Sequence, residues 1–136
     1  MAIIIVDDSR DEQTLLSTRL RAAGYEALMV ADSAEAALGM LSQENVGRRK
    51  EAIDLILMDI MLPGVDGLEA CRRIKAAEWL HDIPIIVITV KTDEQSLLAA
   101  FAAGAMDYIR KPVNPTELVA RVSSALALKE ERNIRM

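Results

Sequence analysis

Three carboxylates, one hydroxyl and one ammonium in this 136-residue chain each stand at the end of a short apolar run. Asp7-Asp8 follows Ala2–Val6, Asp59 follows Leu55 to Met58, Thr89 closes Ile85–Thr89, and Lys111 closes 108–111. If the runs end on a common edge, these groups face one crevice. Three carboxylates held together repel and raise one another's pKa unless a cation sits among them. Mg²⁺ answers that need, because it takes hard oxygen ligands while keeping several waters and a substrate phosphate. Lys111 adds a point charge for an anion, and Thr89 adds a neutral donor. An acid with a free oxygen, a metal and a lysine suit phosphoryl transfer onto a carboxylate. Taken singly, each residue has a plainer reading. Asp7, Asp8 and Asp59 would be caps or turn formers, Thr89 a strand residue and Lys111 a surface charge. Their joint placement at four run ends argues for the chemistry.

Only elements that align those ends can bring the groups together. Apolar runs this short, bounded by turn residues, read as strands buried on both faces. The five are Ala2–Val6, 25–30, 54–58, Ile85–Thr89 and 108–111. Ser9 or Asp8 caps a first helix that carries Leu15, Leu16 and Leu20 on one face and stops near Gly24. Asp32-Ser33 opens a second, with Ala34, Leu38 and Leu41 inward. Residues 45–52, with Gly47 and Arg48-Arg49-Lys50, read as a solvated loop. A third helix is expected over 67–79. A fourth is expected over 93–103, with Leu97, Leu98 and Phe101 inward and Gly104 closing it. The fifth begins at Asn114-Pro115, proline in its first turn, and buries Leu118, Val119, Val122 and Leu126. This alternation implies right-handed βαβ units and a parallel sheet. The expected fold is an α/β three-layer sandwich, flavodoxin-like, with five strands in the order 2-1-3-4-5 and five helices. The carboxyl ends of all its strands share one rim, and ligands bind there between strands one and three.

Composition narrows the class. The chain is 51% hydrophobic and 27% charged, as for one globular domain. A net charge of −5 speaks against a nucleic-acid-binding surface within this segment. The single cysteine, Cys71, forms no intrachain disulfide, which fits a reducing cytoplasm. The apolar start is too short for a signal-peptide core, and no run approaches the roughly 18 residues that span a bilayer, so no membrane association is expected.

Val6-Asp7-Asp8-Ser9, Met58-Asp59 with the turns Pro63-Gly64 and Asp66-Gly67, Ile88-Thr89 and Lys111-Pro112 together resemble the receiver domain of two-component response regulators. The resemblance runs from about residue 3 to residue 126. It implies that Asp59 is the phosphoacceptor, attacking the phosphohistidine of a sensor histidine kinase or histidine phosphotransfer protein. It implies Mg²⁺, or Mn²⁺ in its place, on Asp8, Asp59 and the Met61 backbone carbonyl, with Asp7 acting through a water. Lys111 would pair with the phosphoryl group, Thr89 would swing in to bond it, and Tyr108 would turn inward behind it. Output would then be a shift of the face made by the fourth helix, fifth strand and fifth helix. By the same resemblance the chain is no ordinary enzyme: it catalyses only its own phosphorylation and dephosphorylation. Met61, Val90 and Lys91 occupy positions that tune phosphate lifetime, and Val90 departs from the small residue usual after the threonine.

Other residues carry less. His81 belongs to a loop at the opposite rim, Cys71 and the seven methionines read as packing, and Trp79 ends a helix. Asp107 and Arg121 would pair across a two-fold dimer on the output face. The receiver is expected over 1–127. Residues 128–136, with Glu131 and Arg135 at i, i+4, would form a charged helical extension or the start of a linker to an output module after Met136. Two alternatives compete. A phosphohydrolase of the haloacid-dehalogenase kind needs an acid where Met61 stands. A pseudo-receiver would be a constitutive protein-interaction module, and Val90 is its main support.

Overall fold

The computed structural model describes residues 2–48, 52–62, 64, 66–90 and 93–135, with the backbone alone at 48 and 129–135. Five strands, β1 (Ala2–Val6), β2 (Ala27–Ala31), β3 (Ile53–Asp59), β4 (Ile85–Thr89) and β5 (Asp107–Arg110), form one parallel sheet. Its order is β2-β1-β3-β4-β5, the expected one. The helices are α1 (Arg10–Ala22), α2 (Ala34–Met40), α3 (Gln43–Arg48), α4 (Gly67–Ala76), α5 (Glu94–Ala102) and α6 (Pro115–Arg135).

Strand side chains alternate between the two faces, so each strand feeds two cores. Ile4, Val6, Ile56, Met58, Ile85 and Val87 pack with Ala37, Cys71, Ile74 and Ala100. Ile3, Ile5, Leu55, Leu57, Ile86 and Ile88 pack with Leu16, Leu20, Leu118 and Val122. Thus α2, α4 and α5 cover one face, and α1 and α6 cover the other. Ser9, Ser33, Asp66 and Asp93 each accept the backbone N–H three residues on, fixing where α1, α2, α4 and α5 begin. Each such cap contributes about 1 kcal/mol. Among the described residues, no helix is long and apolar enough to cross a membrane.

The structure corrects the helix count from five to six. The stretch expected to be a solvated loop holds α3, started by Ser42, whose Oγ accepts the Asn45 N–H at 3.2 Å. The Asn45 amide also donates to the Gly39 carbonyl at 2.6 Å, and Val46 packs on the core, so the turn has partners its polar composition conceals. Residues 49–51 of that stretch lie outside the described residues, as do the side chains of the Glu131 and Arg135 pair. Leu15 is 38% exposed, and Leu98 (62%) and Phe101 (44%) face outward on α5, where Ala100 is the buried residue. Helix α4 stops at Ala76. The Trp79 indole beyond it donates to the Leu41 carbonyl at 2.8 Å, tying the end of α4 to the end of α2.

One glycine ties the fold to the rim. A Cβ on Gly67, the first residue of α4, would collide with the Asp59 carbonyl oxygen and lie 2.6 Å from Ile60 Cα. Backbone cannot yield as a flexible side chain can, so Gly67→Ala should cost at least about 2 kcal/mol, within the range of overpacking. Urea unfolding of the two proteins measures it, and equal midpoints would contradict the close approach.

Candidate functional site

Strand β1 carries Asp7 into the rim. Its N–H extends the ladder to the Ala31 carbonyl at 3.0 Å, and the residue is only 1% exposed. An ionised side chain so deep needs partners. Asp7 Oδ1 accepts the Ser9 N–H at 2.9 Å, and Oδ2 accepts the Lys111 ammonium at 2.9 Å. Asp8, next along, is exposed and has no hydrogen bond or ion pair among the described residues. Strand β3 delivers Asp59, 6% exposed, whose Oδ1 accepts the Met61 N–H at 2.9 Å. Its Oδ2 accepts the same Lys111 ammonium at 3.1 Å.

Lys111 follows β5, and its peptide bond to Pro112 is cis. Its N–H donates to the Thr89 carbonyl at 2.9 Å, joining the ends of β4 and β5. Burial alone would lower its pKa. The hydrogen bond to Asp7, then the charges of Asp59 and Asp7 and the bond to Asp59, overcome that and raise it above the ordinary lysine value. Thr89 is buried at the end of β4; Asp59 is level with Ile88 there, so Thr89 stands one residue further out on the adjacent strand.

Ligand oxygens of Asp7, Asp8 and Asp59 lie within 4.8 Å of one another. Among the described residues, these three carboxylates share one ammonium, and Asp8 has no partner of its own. An all-oxygen donor set of this kind fits a hard divalent cation such as Mg²⁺, and it offers no soft ligand for a thiophilic one.

The remaining sequence candidates lie apart from this cluster or outside the described residues. Met61 (48%) and Val90 (59%) are exposed, and Lys91 lies outside the described residues. Tyr108 is half-buried on β5, its ring edge-on to Phe101 with centroids 6.1 Å apart. Asp107 and Arg121, expected across a dimer, meet within the chain, the guanidinium taking both carboxylate oxygens at 3.0 and 2.9 Å. His81 is exposed and bonds the Glu78 carbonyl through Nδ1 at 2.8 Å. Burial pushes the Cys71 thiol up to about 12, so it is held as an inert hydrophobe. Sequence reasoning missed Gln13, whose side-chain amide donates to the Asp7 carbonyl at 2.6 Å. Its place on the first turns of α1 was the available signal.

Comparison with known proteins bears on the family and the fold. The response regulator receiver domain family model matches residues 3–123. The phosphate regulon transcriptional regulatory protein PhoB of Pseudomonas aeruginosa is 40% identical over 124 residues, 91% of this chain and 51% of that protein. The cyclic di-GMP phosphodiesterase response regulator RpfG of Xanthomonas campestris is 40% identical over 129 residues, 95% of this chain and 32% of that protein. The chain therefore spans about half the length of the first relative and a third of the second. A crystal structure of a putative response regulator from Chloroflexus aurantiacus superposes with a TM-score of 0.82 at 37% identity, covering 93% of this chain and 97% of that one. With its sheet order, its acidic rim and its sequence all pointing the same way, the chain belongs to the response regulator receiver domain family of two-component signalling.

Proposed function

We propose that Asp59 accepts a phosphoryl group from the phosphohistidine of a sensor histidine kinase or histidine phosphotransfer protein, in a Mg²⁺-dependent reaction. The observation that carries this reading is the Lys111 ammonium shared by Asp7 and Asp59 beside an Asp8 that has no partner among the described residues. An Asp59 carboxylate oxygen attacks phosphorus, an O–P bond forms and the N–P bond breaks. The imidazole leaves with the bonding pair and takes up a proton. Lys111 stands where the new dianion needs a cation, and Thr89 brings a hydroxyl from the neighbouring strand. Asp8, Asp59 and the Met61 carbonyl would hold Mg²⁺, with Asp7 acting through a water. Bound there, the ion supplies charge neutralisation for the phosphoryl oxygens.

A phosphoryl group draws Lys111 and Thr89 toward itself, and both belong to the β4 and β5 ends that lead into α5 and α6. It rewards whichever arrangement of α5, β5 and α6 brings those groups closest, which is a population shift. Tyr108 sits in this face. A two-fold pairing through it that used Asp107 and Arg121 across the axis would exchange their bond within the chain, in which one guanidinium nitrogen meets both carboxylate oxygens. By the family resemblance, Met61, Val90 and Lys91 occupy the positions that would set the lifetime of the phosphate. The chain acts on itself alone and turns over no separate substrate. In this reading residues 1–127 form the receiver and 128–136 lead toward an output module or partner. A transcriptional regulator and a phosphodiesterase among the relatives leave the kind of output open to either class.

Intact-mass measurement after incubation with acetyl phosphate and Mg²⁺ tests the reading. The expected result is the gain of one phosphoryl group per chain, lost when Mg²⁺ is chelated. No gain from acetyl phosphate or from any phosphohistidine donor would sink it.

A further inference from the structure

The end of β1 is held at four points, and three of them have obvious reasons. The Asp7 N–H continues the sheet to Ala31, one carboxylate oxygen caps the turn at Ser9, and the other meets Lys111. The fourth is the Asp7 carbonyl, one residue beyond the end of β1, which takes the Gln13 side-chain amide at 2.6 Å. Facing a carbonyl, that amide can present only its NH₂ group, so its orientation is fixed by chemistry.

We infer that Gln13 is a positioning residue for the cation-binding acids, an inference that rests on the function proposed above. The carbonyl it grips belongs to the planar peptide that joins Asp7 to Asp8. Pinning the oxygen of that plane fixes the direction in which Asp8 leaves it. Asp8 has no other restraint on its side chain among the described residues, so the peptide plane is what aims its carboxylate at the cluster with Asp7 and Asp59. Gln13 also lies six residues from Asp7 and on the helix that Ser9 starts, since its own N–H donates to the Ser9 carbonyl at 3.0 Å. The grip therefore ties the acidic turn to the rigid body of α1. Groups that orient metal ligands from behind typically change affinity by about 10-fold or more when removed.

The test is Mg²⁺ titration of the unphosphorylated protein, followed by amide NMR shifts of the β1–α1 turn, with circular dichroism confirming the helix. Gln13→Met keeps the length of the side chain and removes the donor, and should weaken Mg²⁺ binding about 10-fold. Gln13→Glu is isosteric but faces the carbonyl with oxygen. It adds negative charge near the site, so a purely electrostatic role predicts tighter binding, whereas positioning predicts weaker binding. Gln13→Met within twofold of the wild-type affinity, or Gln13→Glu binding more tightly, overturns the inference while leaving the proposed function standing. A wild-type protein that binds no Mg²⁺ overturns both. Should Gln13→Met fail to fold, the sign of the Gln13→Glu effect still decides.

Discussion

Asp59→Asn is expected to abolish phosphoryl uptake, with the rate from acetyl phosphate falling at least about 1,000-fold, equivalent to about 4 kcal/mol in the barrier. The amide keeps the shape of the carboxylate, so the loss would reflect chemistry. A carboxylate oxygen is a competent nucleophile for phosphorus and an amide oxygen is a poor one. The substitution also breaks one contact whichever way the amide turns. If its oxygen keeps the Met61 N–H, its NH₂ faces the Lys111 ammonium, donor against donor. If it turns over, the conflict moves to Met61. Lys111 retains Asp7, so the variant should fold. Intact mass and hydroxylamine sensitivity are the measurements. The wild-type adduct should be a hydroxylamine-labile acyl phosphate, and a labile adduct persisting on the variant would move the acceptor away from Asp59.

Lys111→Met should have the largest effect on stability. Removing one partner of a buried ion pair costs about 3–5 kcal/mol, because the other charge stays behind unpaired. Here two carboxylates, 1% and 6% exposed, would lose the one ammonium they share among the described residues, while Lys111 itself keeps some access to water at 13%. We expect a loss of about 2–4 kcal/mol by urea unfolding without divalent cation. Mg²⁺ should restore much of it, since a ligand at 100 times its Kd stabilises by about 2.7 kcal/mol. A destabilisation that Mg²⁺ leaves untouched would count against a cation site among these acids. The pH dependence has a definite sign. Because the folded-state pKa of Lys111 is raised, its contribution is complete below the ordinary lysine value, roughly 10.4. It is lost as pH rises through the higher folded value. Wild-type stability should therefore show an alkaline fall above about pH 10 that Lys111→Met lacks.

Much of this was legible in the sequence because parallel strands are buried on both faces and so appear as uninterrupted apolar runs. Ile85–Thr89 and Ala2–Val6 were readable to the residue, and the groups that end such runs share a rim by topology alone. Helix faces were less legible. The apolar stripe of α5 marks where Leu98 and Phe101 lie around the axis, but nothing in the spacing says whether another element covers them. Helix α3 was hidden by Gly47 and Asn45, whose poor propensity is offset by a side-chain bond to Gly39. Gly67 read as half of a turn; its work as the residue on which α4 meets the Asp59 carbonyl depends on a contact across eight residues of chain. Gln13 offered only its place on the first turns of α1, since the strand-end carbonyl it satisfies leaves no mark in the spacing.

The sheet that gathers these acids also acts as a partition. The two apolar clusters on its faces share no residue, and each is closed by its own helices, α2, α4 and α5 on one side and α1 and α6 on the other. Substitutions that remodel one outer layer need not be matched in the other. Natural selection can thus reshape the surface offered by α1 and α6 and the surface offered by α4 and α5 on separate schedules. The rim between them holds the one constellation that neither lineage of change is free to disturb.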